Sequence, residues 1–155
     1  MKKQKLEASD LTDHIGYWMR TVSNNVSYSF ARKLEASGVT VAEWAILRQM
    51  YSGDDTTSPS AVAELTGLTR GAVSKLITRL LEKGLVSRRE SSSDRRYQDI
   101  ELTTKGASLV PKLATLADEN DREFFSCITK AERSQLKALL QKLADHLQIK
   151  TVPTE

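Results

Sequence analysis

A chain of 155 residues is the length of one domain, long enough to bury a core without disulfide or metal staples. Its composition, 39% hydrophobic and 28% charged with 7 Gly and 3 Pro, excludes a loop-rich β-sandwich or a largely disordered chain. The net charge is only +3, and the single cysteine, Cys127, excludes an internal disulfide and fits a reducing cytoplasm.

The opening MKKQKLEASD is basic but lacks an apolar stretch, so it is not expected to be a secretory signal. No later run reaches the roughly 18 apolar residues of a membrane span, so no membrane association is expected. Leu11, Ile15, Trp18, Val22, Val26, Phe30 and Leu34 recur at steps of three and four, which predicts one helix over residues 11–36. Ser9 or Asp10 suits its start and Gly38 its end. A helix that long in a small domain is expected to lie against a partner. Thr40 and Glu43 have capping-box spacing and open a second helix through about Met50, with Val41, Trp44, Ala45, Leu47 and Met50 inward. Residues 53–57 read as a polar loop. Ser58 before Pro59 then starts a short helix to about Leu65, since proline in a first turn loses no hydrogen bond.

Thr66-Gly67-Leu68-Thr69 breaks the helical period, and Gly67 permits the positive φ of a sharp reversal. Thr69 caps a further helix over residues 70–83, with Val73, Leu76, Ile77, Leu80 and Leu81 inward and Gly84 closing it. Two strand-like stretches follow, residues 85–90 and 97–102, around the polar tip Ser91-Ser92-Ser93-Asp94-Arg95-Arg96. A helical period returns from Thr103 or Thr104 through Leu109, Leu113, Leu116, Ala117, Phe124 and Ile128, despite Pro111. Thr129 and Glu132 form a second capping box. The last helix carries Leu136, Leu140, Leu143 and Leu147 at heptad-like steps, suited equally to packing on the first helix or on another chain. Residues 151–155 are expected to fray.

Charge is concentrated in the middle. Residues 69–96 hold eight bases, Arg70, Lys75, Arg79, Lys83, Arg88, Arg89, Arg95 and Arg96, against three acids, Glu82, Glu90 and Asp94. That segment is therefore +5 and the rest of the chain −2. A partner with regularly spaced negative charge selects such a pattern, although a solvated face also produces it. The order of short helix, glycine turn, second helix and basic hairpin is the plan of a winged helix-turn-helix. An α-helix fits the major groove of B-DNA, and its N-terminal outward residues meet base edges. Here these are Thr69, Arg70, Gly71, Ala72, Ser74 and Lys75, with Thr78 and Arg79 one turn on. Ser58 and Ser60, at the start of the first helix of the pair, suit phosphate contacts. Arg88, Arg89, Arg95 and Arg96 suit phosphates or a flanking minor groove, with Asp94 orienting an arginine or simply forming the turn.

Three stretches together carry a specific resemblance: Ala63-Glu64-Leu65-Thr66-Gly67-Leu68-Thr69-Arg70-Gly71-Ala72-Val73-Ser74; Leu80-Leu81-Glu82-Lys83-Gly84-Leu85-Val86; and Asp94-Arg95-Arg96 followed by Leu102-Thr103-Thr104-Lys105-Gly106. The chain resembles the MarR family of bacterial transcription regulators over nearly its whole length. The serine triplet before Asp94 departs from some relatives at the wing tip. The resemblance implies a mainly α fold with a small β-wing in a single domain of residues 1–155. Dimerisation helices span 9–38 and 104–149, and the winged helix-turn-helix spans 40–103, with the helix-turn-helix near 59–83 and the wing near 85–103.

It further implies a homodimer, with Leu11, Ile15, Leu136, Leu140, Leu143 and Leu147 at the interface. The function implied is repression at a pseudo-palindromic double-stranded operator, released by a small, often aromatic inducer. Tyr17, Trp18, Arg20, Trp44 and Arg48 are the candidate ligand contacts, although an aromatic at helical spacing is more often core. Cys127 reads as an inert buried thiol. His14 and His146 have no ligand spacing, so no metal or cofactor is expected. The chain has no phosphate-cradling glycine loop and no nucleophile-base frame, which excludes an enzyme and leaves no catalytic residues. The remaining alternative is a cytoplasmic helical adaptor whose basic hairpin is only a solvated surface.

Overall fold

The computed structural model describes residues 6–90 and 98–155. The tip residues Ser91, Ser92, Ser93, Asp94, Arg95, Arg96 and Tyr97 therefore lie outside the described residues. A 3₁₀ turn, Leu11–Asp13, precedes helix α1, Ile15–Ala36. The single helix expected from residue 11 is thus broken at His14, whose extended backbone separates turn from helix. The Asp13 carboxylate accepts from the Asp10 N–H at 3.0 Å, closing the turn on itself. Helix α2, Val41–Ser52, opens on the expected reciprocal cap: Thr40 N–H donates to Glu43 Oε2 at 2.9 Å and Glu43 N–H to Thr40 Oγ1 at 3.2 Å. Ser58 and Thr69 cap α3, Pro59–Thr66, and α4, Arg70–Glu82, through their hydroxyls. Gly67 joins the two helices at φ 68°, where an L side chain would be strained.

One strand was absent from the pattern. Thr56–Thr57 forms β1, which pairs antiparallel with β3, Gln98–Leu102, through Thr56↔Glu101 and Thr57↔Ile100. Two residues have no period to read, and β1 exists only because β3 offers it a ladder. The hairpin itself pairs β2, Val86–Glu90, with β3 from Val86↔Leu102 to Glu90↔Gln98, giving the sheet order β1-β3-β2. Leu85, expected as the first strand residue, lies just before β2. It is buried, with its N–H donated to Leu80 O at 3.1 Å.

Helix α5, Thr104–Phe124, continues through Pro111, and α6, Lys130–His146, follows the second reciprocal cap at Thr129 and Glu132. The start of α5 is clasped to the end of α4. Thr103 Oγ1 donates to Gly84 O at 2.7 Å, and Lys105 Nζ donates to Lys83 O at 2.8 Å. Gly106 lies so close to the Leu85 carbonyl that a Cβ would collide with it. The Leu-Thr-Thr-Lys-Gly stretch is thus a lock that sets the wing against α4. Lys33 ties α1 to α5, with Nζ 2.6 Å from Glu123 Oε2 and 3.0 Å from Asn120 Oδ1. The buried Asn120 in turn donates to Val26 O.

The buried apolar side chains fall between Leu34 and Leu113, with Ile46, Leu47, Met50, Leu76, Leu80 and Ile100 at the centre. The inward face of α2 is rotated from expectation. Ala42, Glu43, Ile46, Leu47 and Met50 are buried, whereas Val41, Trp44 and Ala45 are only half covered. Of the α1 stripe only Leu34 is buried; Val26 and Phe30 are partly covered, and Leu11, Ile15, Trp18 and Val22 are exposed. Cys127 is exposed, correcting the expectation of a buried thiol, because α5 ends at Phe124 and the residue sits on the turn before α6. Residues 151–155, expected to fray, return to the domain: Val152 N–H donates to Leu65 O at 2.9 Å. Among the described residues no helix is long and apolar enough to cross a membrane.

Candidate nucleic-acid interface

Helix α4 has a sealed face and an open one. Val73, Leu76, Ile77 and Leu80 pack into the core, which turns Arg70, Gly71, Ser74, Lys75 and Thr78 to solvent, with Thr69 exposed at the cap and Ala72 half covered. Gly71 has open space where a Cβ would stand, so the helix surface there is low. Between this helix and the sheet runs a trough of about 880 Å³. Ser58 and Ser60 line it from the start of α3, Arg70, Ser74 and Thr78 from α4, and Arg88 from β2. The trough therefore gathers residues from each part of the sequence-derived interface. Hydroxyls and guanidinium groups are donors suited to phosphate oxygens and base edges.

Arg88 Nη1 donates to Gln98 Oε1 across the hairpin at 3.4 Å, and Arg89 lies 3.7 Å from Glu101. Both pairs are exposed, and such contacts yield readily to a competing anion. Asp94, Arg95 and Arg96 lie outside the described residues.

Arg79 is placed differently from its neighbours. Its Nε donates to Glu43 Oε1 at 3.3 Å, and Lys83 Nζ donates to Glu43 Oε2 at 2.6 Å. Glu43 is completely buried, yet its capping spacing predicted only the bond to Thr40. Burial raises its pKa, but the Lys83 hydrogen bond, the Thr40 N–H, the Lys83 charge and the Arg79 hydrogen bond outweigh it and hold the carboxyl below its ordinary value. This one carboxylate caps α2 and ties it to Arg79 of α4 and to Lys83 at that helix's C-terminal cap. Residues 36 and 40 positions apart in the chain carry no local signal of that meeting.

The five candidate ligand contacts divide. Trp44 and Arg48 line a groove of about 330 Å³ between α1 and α2, with Phe30 edge-on to Trp44 at 6.3 Å between ring centroids. Tyr17, Trp18 and Arg20 lie on the exposed first turns of α1 and do not line it. Tyr17 packs edge-on to Trp18, whose indole N–H donates to Thr12 O. Groove residues Val152 and Pro153 were missed, because a short tail segment has no period. The candidate dimer residues Leu11, Ile15, Leu136, Leu140, Leu143 and Leu147 are all exposed. Among the described residues no three His, Cys, Asp or Glu side chains gather as metal ligands.

A trough of donors between a capped helix and a β-hairpin defines a winged helix-turn-helix protein. The MarR family model matches residues 37–96, which include α2 to α4 and β2. A proposed transcriptional regulatory protein for the hcr operon of Thauera aromatica is 27% identical over 140 residues, covering 90% of this chain and 84% of the relative. Solved structures share the fold at lower identity. A cysteine-to-serine mutant of MarR from E. coli, complexed with operator DNA, has a TM-score of 0.73 at 22% identity, covering 88% of this chain and 99% of that one. BpsR of Bordetella bronchiseptica, whose DNA binding is regulated by 6-hydroxynicotinic acid, has a TM-score of 0.75 at 22% identity, covering 90% and 99%. The organohalide-sensing regulator RdhR with 2,4-dichlorophenol bound has a TM-score of 0.77 at 18% identity, covering 100% and 98%. Over residues 37–96 the chain is similar to the MarR family, and over nearly its whole length it shares the fold of these solved regulators.

Proposed function

We propose that this chain is a homodimeric repressor that reads a pseudo-palindromic operator and is released by a small aromatic ligand. The observation that carries the reading is the exposed polar face of α4, Thr69 to Thr78, opening on a trough shared with Ser58, Ser60 and Arg88. In this reading the N-terminal turn of α4 enters a major groove, Ser58 and Ser60 bind phosphate, and Arg88, Arg89, Arg95 and Arg96 follow the backbone alongside. Arg79 contributes less than Arg70, because Glu43 already holds it.

The exposed leucines of α6 and the exposed Leu11 and Ile15 support the dimer, since burying them needs a surface outside the chain. Trp44 and Arg48 are the better-supported pair of ligand contacts, because both line the α1–α2 groove. Two structural relatives are described with an aromatic compound, which supports that ligand class. The adaptor alternative draws no support from relatives described as transcriptional regulators.

Selection from a library of random duplexes tests the reading. Enrichment of a pseudo-palindrome with half-sites about one helical turn apart is expected. Replacing Arg70, Arg95 and Arg96 together by alanine should abolish enrichment, flatten the salt dependence of binding and leave the dimer intact. An unenriched library would overturn it.

A further inference from the structure

Residues 151–155 meet the domain at two places of different importance. Val152 N–H donates to Leu65 O at 2.9 Å, at the end of α3, and Thr151 packs against Gly67 in the turn between α3 and α4. A Cβ at Gly67 would stand 3.2 Å from the Thr151 methyl, so the contact is close. A few residues on, Val152, Pro153 and Glu155 form one wall of the groove whose other walls are Phe30, Trp44 and Arg48. Val152 is partly covered and Pro153 is exposed, as expected of a segment laid along a surface rather than threaded into a core.

From this placement we infer that residues 151–155 are a built-in strap: they wall one side of the α1–α2 groove where an aromatic ligand would sit, and they couple that groove to the helix-turn-helix turn. The inference rests on the ligand-responsive reading above and adds the means of its regulation. A planar ligand that extends over the Trp44 surface now bordered by Val152 and Pro153 has to displace them, and for such a ligand the strap is a competitor. Displacing the strap removes the Val152–Leu65 hydrogen bond and the Thr151 cover on Gly67 in the same event. The turn that aims α4 then loses its only tie to the segment following α6, among the described residues. A ligand shifts a conformational equilibrium only by its differential affinity for the two states, and strap-on and strap-off supply two states that differ at the ligand's own site. Only residues 147–150 separate the strap from the end of α6 at His146, so it links the candidate dimer helix to the reading head.

Three forms test this, all in a Trp18→Phe background so that Trp44 is the sole indole: the parent, full-length Val152→Pro, which deletes the donor and keeps apolar bulk, and a truncation after Lys150. Without any ligand, both variants are expected to shift Trp44 emission to the red and to raise amide exchange at Gly67 and Leu68 at least tenfold. With 2,4-dichlorophenol and 6-hydroxynicotinic acid as probes, the truncation is expected to bind at least fivefold more tightly than the parent. Unchanged emission and exchange in both variants would overturn the strap, as would equal probe affinity in parent and truncation. If neither probe binds any form, the ligand-release reading loses its support. The strap is then decided by emission and exchange, which need no ligand.

Discussion

In the winged region Leu47, Leu76 and Leu80 are sealed from water, while in the terminal helices Leu11, Ile15, Leu140 and Leu147 stand in it. The two sets have the same chemistry and the same helical spacing. The difference is that α2, α4, α5 and the sheet close around one another within a single chain, whereas α6 has no buried residue at all. Apolar periodicity therefore reports that a face will be covered, and does not report by what. The winged region finds its cover within the chain, with Leu34 of α1 and Leu113 of α5 contributing, whereas the leucines of α6 stay exposed.

The sharpest way to break that contrast is to charge the exposed leucines. Leu140→Glu with Leu143→Glu should convert the dimer to a monomer by sedimentation and weaken operator binding roughly 100-fold or more, because two linked half-site contacts become independent. The same pair should leave the thermal unfolding of the winged region nearly unchanged. A stable, fully active dimer would show that α6 is not the interface.

Within the sealed half, Leu80→Ala should cost about 2–5 kcal/mol in denaturant unfolding, since Leu80 is wholly buried and the cavity cannot collapse fully. A loss under 1 kcal/mol would mean the α4 packing is looser than its burial implies. On the open face of the same helix, Arg70→Ala should leave unfolding untouched and weaken operator binding by about 1–3 kcal/mol. Equal loss on all duplexes would reassign Arg70 from base edge to phosphate.

The smallest expected effect concerns Glu43, where the two faces of α4 meet. Its folded pKa lies below the unfolded value of about 4.5, so its stabilisation is present above that value and is lost as pH falls through the folded pKa. Glu43→Gln should lower stability by roughly 1–2 kcal/mol at neutral pH and flatten the acid limb of the stability curve. An acid limb identical to the parent's would place the linkage elsewhere.

How much of this was legible depended on range. The caps at Thr40, Ser58, Thr69 and Thr129 and the turn at Gly67 are decided within four residues, and the sequence shows them. The exposed face of α4 follows from the buried one by helical geometry alone. Thr56–Thr57 as a strand, the second role of Glu43 and the docking of Val152 on Leu65 each depend on a partner 36 or more residues away. The exposure of Cys127 was misread because the helix was carried through Ile128, past its actual end at Phe124. Of the candidate ligand set, helical spacing could not separate Trp44, which faces a groove, from Trp18, which faces solvent.

Mapping backbone amide shifts while titrating the selected operator duplex into the dimer tests the assigned reading face most directly. Perturbations concentrated at residues 69–75, at Ser58 and Ser60 and at Arg88, fading as salt rises, are the expected outcome. Shifts confined to α6 and α1, or none at all in dilute salt, would contradict it.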